Sequence, residues 1–127
     1  MRLLLITSRE TKRWVLPKGN PIRGLDPHLA AAAEAYEEAG ISGFVCPTPV
    51  GNYAYDKRRR NGSVIRATVD VYPLAFITQL DTWPEAHERT TQWFTLADAA
   101  AKVEEAELKS IIAGFRQPEP QPSRQVR

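Results

Sequence analysis

A chain of 127 residues falls below the ~150 typical of a domain, so one domain is expected; its 43% hydrophobic and 25% charged residues are ordinary for a globular protein. Cys46 is the single cysteine, which excludes an internal disulfide framework and fits a reducing compartment; with no signal-peptide core and no apolar run near the ~18 residues of a membrane span, the expected location is cytoplasmic. The net charge of +2 is too small to argue for nucleic acid, but it is unevenly spread: residues 56–66 carry five basic side chains and one acidic, whereas residues 26–41 carry four acidic ones and no Lys or Arg.

In chain order, residues 2–8 (RLLLITS) predict a short buried strand. Met1 opens almost inside it, so either an exposed sheet edge or a start placed too late is expected, and an unpaired edge favours a homodimer. Residues 14–16 predict a second short strand stopped by Pro17, and residues 17–27, with three prolines and two glycines, a loop. Asp26 and Pro27 open a helix, the Asp accepting free N–H groups and the Pro suiting the first helical position; Gly40 closes it, giving a helix over about 27–39. Residues 44–55 and 63–79 are rich in Val, Ile, Thr, Tyr and Phe and predict strands, separated by a basic run ending in the turn signal Asn61-Gly62. Residues 92–95 predict one more strand, with Thr95 and Asp98 capping a helix from about 96. Residues 104–115 predict a last helix, with Leu108, Ile111, Ile112 and Phe115 at helical spacing. Residues 117–127, with three prolines, predict a disordered tail, which leaves a single domain over 1–116 of α+β or three-layer class.

Glu34, Glu37 and Glu38 lie at i, i+3 and i+4, within one arc of roughly 100°. Leu29, Ala32, Tyr36 and Ala39 occupy the opposite side, which is expected to pack inward and leave the carboxylates clustered outward. Like charges at this spacing cost a few tenths of a kcal/mol, and no cation in the helix offsets them. The plain alternative is a solvated acidic face. Crowded oxygens without a partner are, however, what a hard divalent cation needs, magnesium in particular.

Residues 14–41 read WVLPKGNPIRGLDPHLAAAAEAYEEAGI. This resembles the Nudix box, G-x5-E-x7-R-E-U-x-E-E-x-G-U, where U is bulky and apolar. Gly19 matches the opening glycine, and Glu34, Glu37, Glu38, Gly40 and Ile41 match the distal half. Leu25 stands where the pattern has Glu, Ala33 where it has Arg, and Ala35 is small at a bulky site. The Trp14–Gly19 stretch, and Asp81 through Glu85 with Arg89 and Gln92-Trp93-Phe94, are similar to the diphosphoinositol polyphosphate phosphohydrolase-like branch, so that the likeness covers about residues 2–115.

The resemblance implies the Nudix fold, a mixed β-sheet sandwiched between helices in three layers. It also implies hydrolysis of a diphosphate joined to another group X, with Mg2+, or Mn2+ in its place. Glu34, Glu37 and Glu38 would hold the metal with the Gly19 carbonyl, and Glu34 or Glu38 would position or deprotonate the attacking water. Lys18 would touch a phosphate; its plain alternative is a solvated loop lysine. Glu85 and Glu88 are candidates for one further carboxylate. Lys57, Arg58, Arg59 and Arg60 would form a phosphate-binding rim, the alternative being a solvated turn. Tyr53 and Tyr55 would stack on a ring of X, or serve as packing. The departures at 25 and 33 remove both members of a polar set that orients the box, which is expected to leave a working but weakened site.

Three function classes follow: a metal-dependent pyrophosphohydrolase acting on a polyphosphorylated small molecule such as a diphosphoinositol polyphosphate or dinucleoside polyphosphate; a nucleotide- or polyphosphate-binding module that has lost turnover; and a small RNA-binding protein, fed only by the arginines. No RNA motif of the usual kinds accompanies the arginines. Nucleic acid is therefore expected only as a 5′-phosphorylated RNA substrate, and no membrane partner is expected.

Overall fold

The computed structural model describes residues 1–117. Its elements run β1 (Arg2–Thr7), β2 (Trp14–Val15), α1 (Pro27–Ala39), β3 (Ile41–Val45), β4 (Gly51–Arg58), β5 (Val64–Val71), β6 (Leu74–Gln79), β7 (Thr91–Thr95), α2 (Leu96–Lys102) and α3 (Ala106–Ala113). β1 reads as an unbroken apolar run because both of its faces are covered. It is the middle strand of a β2-β1-β7 sheet, antiparallel to both neighbours. Leu5 points to a core made with Tyr53, Phe94, Ala99, Val103, Leu108 and Ile112, that is, toward β4, α2 and α3. Ile6 points the other way, to Val15, Ala39 and Ile41 at the end of α1 and the start of β3. Helices therefore lie on both sides of β1, as the α+β, three-layer expectation required. Two further antiparallel pairs, β3-β6 and β4-β5, complete the framework.

The two long β segments expected in the middle of the chain are four strands. Pro47 and Pro49 fall between β3 and β4, and Pro73 between β5 and β6. Proline has no N–H to give to a ladder, so each marks a break. β4 reaches further into the basic run than expected, to Arg58, β5 begins one residue later than expected, and the turn narrows to residues 59–63. There the Arg59 N–H donates to the Ser63 carbonyl (2.8 Å), the Gly62 N–H donates to the Arg59 carbonyl (3.0 Å), and Gly62 adopts φ 88°. The last helix is shorter than expected at both ends. The Thr95 cap is as expected, its hydroxyl accepting the Asp98 N–H at 3.2 Å. Apart from Gln117, the expected tail lies outside the described residues. Among them, no helix is long and apolar enough to cross a membrane.

α1 has the bounds expected of it but differs in two respects. Asp26 is its N-cap, yet the side chain makes no capping hydrogen bond; its carbonyl instead accepts from the Leu29 and Ala30 N–H groups, both at 3.0 Å. The larger correction is the helix's rotation. Leu29 and Tyr36, assigned to the inward face, are 43% and 45% exposed, while Ala30, Ala39 and the carboxylate residue Glu38 are buried. A charge turns inward only if something there compensates it, and residues far along the chain do so.

Candidate active site

An α-helix leaves its last carbonyls without partners of its own. In α1 these are taken up in succession by the end of β6 and the segment after it. Glu85 donates its N–H to the Glu37 carbonyl (3.1 Å), the Trp83 indole donates to the Glu38 carbonyl (3.1 Å), the Gln79 amide donates to the Ala39 carbonyl (3.0 Å), and Leu80 donates its N–H to the Gly40 carbonyl (2.9 Å). The Trp83 ring lies where a Cβ at Gly40 would stand, and Gly40 turns the chain at φ 69°. The last turn of α1, which bears the glutamates, is thus fixed from outside.

Inside that turn, Glu38 Oε1 accepts the Lys18 backbone N–H at 3.3 Å and faces the Arg89 guanidinium at 3.6 Å. The Glu34 carboxyl lies one helical turn earlier on the same helix. Burial first, and then Glu34, push the Glu38 carboxyl up to about 8, against the opposing pull of Arg89 and the Lys18 N–H. Glu34 in turn occupies the space where a side chain at residue 19 would be, so a glycine there is what admits its carboxylate. Two carboxyl groups one helical turn apart form an all-oxygen, anionic set of the kind a hard divalent cation takes; the pair fits such an ion.

Glu37 does not join the pair. It is exposed, and among the described residues no group of three or more His, Cys, Asp or Glu side chains is gathered to hold a metal. Glu85 is drawn to the site through Arg89, which it meets at 2.7 Å, whereas Glu88 pairs with Arg9 at 3.1 Å on the exposed rim. The Lys18 ammonium sits 4.7 Å over the Tyr55 ring, a cation–π contact, and burial lowers its pKa although Glu38 opposes this. Tyr53 is core. Behind Tyr55 opens a cleft of about 540 Å³, lined also by Arg13, Asp56, Arg66, Glu104 and Glu105. On the other side of the loop, the Lys57 ammonium donates to the Asn20 side chain, next to Gly19. Arg58, Arg59 and Arg60 continue outward as an exposed rim. Leu25, at a departure from the box pattern, is exposed in the loop before α1.

The Glu34–Gly19 contact makes a prediction. A methyl group at 19 would meet the flexible end of Glu34 rather than backbone, so the fold can yield at small cost. Gly19→Ala is expected to shift the melting temperature by no more than a few degrees while weakening Mn2+ binding and turnover at least tenfold. Parental Mn2+ affinity in that variant would remove Glu34 from the metal set.

Sequence reasoning missed Arg89 as a partner of Glu38. The available signal was local: Arg89 follows Glu85 at i+4.

The NUDIX domain family model matches residues 1–115. Nudix hydrolase 16, mitochondrial, from Arabidopsis thaliana is 29% identical over 119 residues, 91% of this chain and 66% of that protein. Diphosphoinositol polyphosphate phosphohydrolase 3-beta from Bos taurus is 30% identical over 99 residues, 76% of this chain and 56% of that protein. The chain thus spans between about half and two-thirds of these curated relatives. An Ap4A hydrolase of C. elegans, solved as a binary complex, superposes with a TM-score of 0.58 at 21% identity, over 88% of this chain and 81% of that one, which speaks for the fold.

Proposed function

The chain belongs to the Nudix family, and from that premise we propose that it is a metal-dependent pyrophosphohydrolase cleaving a diphosphate linkage in a polyphosphorylated small molecule. The observation that carries the reading is the Glu34–Glu38 carboxyl pair held against Gly19. Glu34 and Glu38, with Glu37 from the same turn and the Gly19 carbonyl, would hold Mg2+ or Mn2+. When bound, the ion neutralises charge on the phosphoryl oxygens.

The chain's own residues supply the rest. Glu34 or Glu38 accepts a proton from the water as its oxygen bonds to phosphorus, and the P–O bond of the anhydride breaks with its electrons leaving on the departing phosphate. Lys18, raised over Tyr55 beside the pair, places a positive charge for a phosphate oxygen. Lys57, against Asn20, adds a second at the rim.

The cleft behind Tyr55 is of the ~300–1,000 Å³ size that small molecules occupy, and it suits the group X. Its lining carries both signs, Asp56 paired with Arg66 at 2.9 Å and Glu105 with Arg13 at 2.8 Å, while Tyr55 offers a face to a planar ring. The aromatic face favours a dinucleoside polyphosphate, whose bases are planar, over an inositol pyrophosphate. The test is a panel containing diadenosine tetraphosphate, an inositol pyrophosphate and a nucleoside diphosphate sugar, with Mg2+ or Mn2+ and product analysis. Metal-dependent release of nucleotide products, lost with EDTA, is the expected result. The second reading, a binding module without turnover, is favoured by the exposed Leu25 and by the absence of a three-carboxylate cluster among the described residues. It would be adopted if a panel member bound with metal present and came back intact.

A further inference from the structure

The geometry points to Arg89 as the positioning residue of Glu38, supplying from the segment before β7 the cation that α1 lacks; the inference rests on the metal-dependent reading above. The box pattern has Arg at position 33, where this chain has Ala. Arg89 is half-buried, its side chain 9% exposed, and its guanidinium faces three oxygens at once. Nη1 donates to the Thr7 carbonyl at the end of β1 (3.1 Å), Nε donates to Glu85 Oε1 (2.7 Å), and Nη2 faces Glu38 Oε1 (3.6 Å).

A planar fork is suited to this, since two contacts fix the plane and leave the third N–H aimed. Thr7 and Glu85 supply those two. Thr7 is itself tied to the same segment: its N–H donates to the Thr90 carbonyl (3.0 Å), and its hydroxyl accepts the Thr90 N–H (2.9 Å). Glu85 is tied by its own N–H to the Glu37 carbonyl. Hydrogen bonds therefore tie the anchors of the fork to the last turn of α1, and the 3.6 Å ion pair between Arg89 and Glu38 closes the circuit.

Charge and orientation predict opposite signs for metal binding, which makes the assignment testable without turnover. A guanidinium 3.6 Å from a metal ligand repels a cation, so if charge were its main effect, Arg89→Met would tighten Mn2+ binding. If Arg89 orients Glu38, Arg89→Met weakens it. We expect Mn2+ affinity, counted from free Mn2+ by electron paramagnetic resonance, to fall 10–100-fold, in the range for residues that orient metal ligands. On diadenosine tetraphosphate, kcat should fall similarly with little change in KM. Arg89→Lys keeps the charge and loses the fork; it should also bind Mn2+ several-fold more weakly, and it carries the test if Arg89→Met does not fold by circular dichroism. Folded variants that bind Mn2+ as tightly as the parent, or more tightly, overturn the assignment. A parent that neither binds Mn2+ nor hydrolyses any panel substrate overturns the hydrolase reading itself, and this inference with it.

Discussion

Glu38→Gln is expected to abolish hydrolysis, by about 10³-fold, and to stabilise the metal-free protein above neutral pH. The first effect follows from removing a carboxylate that would hold metal or take the proton of water. The second follows from burial. The Glu38 carboxyl is pushed up to about 8, first by desolvation and then by Glu34. A carboxyl whose folded pKa is raised stabilises the fold while protonated. That contribution is complete below the ordinary carboxylate pKa and is lost as pH rises through about 8. Without metal, the parent should therefore lose stability steadily from about pH 4.5 to about pH 8 and level off above that. Glutamine has the shape of the protonated acid, keeps an oxygen for the Lys18 N–H and Arg89, and offers an N–H to Glu34, so its melting temperature should not show that decline.

Metal reverses the order. A divalent cation takes the place of the proton, so saturating Mn2+ should raise the parent's melting temperature most at high pH and leave Glu38→Gln nearly unmoved. Melts in EDTA and in Mn2+ across this range, with kcat at each pH, check both effects. Full activity in Glu38→Gln would end Glu38's assignment to the machinery, whatever the melts show.

The borders of the helix that carries this site could be read directly in the sequence. Asp26-Pro27 and Gly40 are local signals, and local signals are enough to start and stop a helix. The direction it faces could not. Six of its thirteen residues are alanine, which buries on any side at little cost, so Leu29 and Tyr36 were the only strong apolar cues and both are exposed. The rotation is decided by Trp83, Glu85 and Arg89, whose contacts with Glu37 and Glu38 no helical periodicity can report. The same limit explains why the carboxylates looked unpartnered: no cation lies in the helix, but one arrives through the fold. The strand count was different, since Pro47, Pro49 and Pro73 stood in plain view and their missing N–H groups marked each break. Of the site residues, Glu34 and Glu38 meet because one helical turn brings them together, and Lys18 and Gly19 join them from the adjoining loop. Lys57 comes to that loop only because β4 returns across it.

Replacing Arg58, Arg59 and Arg60 together with Ser is expected to raise KM for diadenosine tetraphosphate about tenfold, since each exposed charge contact is worth a few-fold at most. Lys57, which touches Asn20 beside Gly19, places the β4–β5 hairpin at the mouth of the carboxylate groove. Among the described residues none of the three arginines makes an ion pair, whereas Arg66 on the same hairpin pairs with Asp56 at 2.9 Å. Their charge is thus available to an anion. The groove itself cannot attract one, because Glu34, Glu37 and Glu38 repel a polyphosphate until metal is present. The arginine rim supplies the opposite sign outside the reacting centre, which speeds capture and raises local substrate concentration. It holds substrate and transition state alike, so kcat should change little. A nucleoside diphosphate sugar, with fewer phosphates, should lose much less than the tetraphosphate, and salt added to the parent should reproduce part of the loss. A triple variant that loses kcat on every substrate equally would place the rim inside the catalytic machinery. One with unchanged KM would reduce it to a solvated turn.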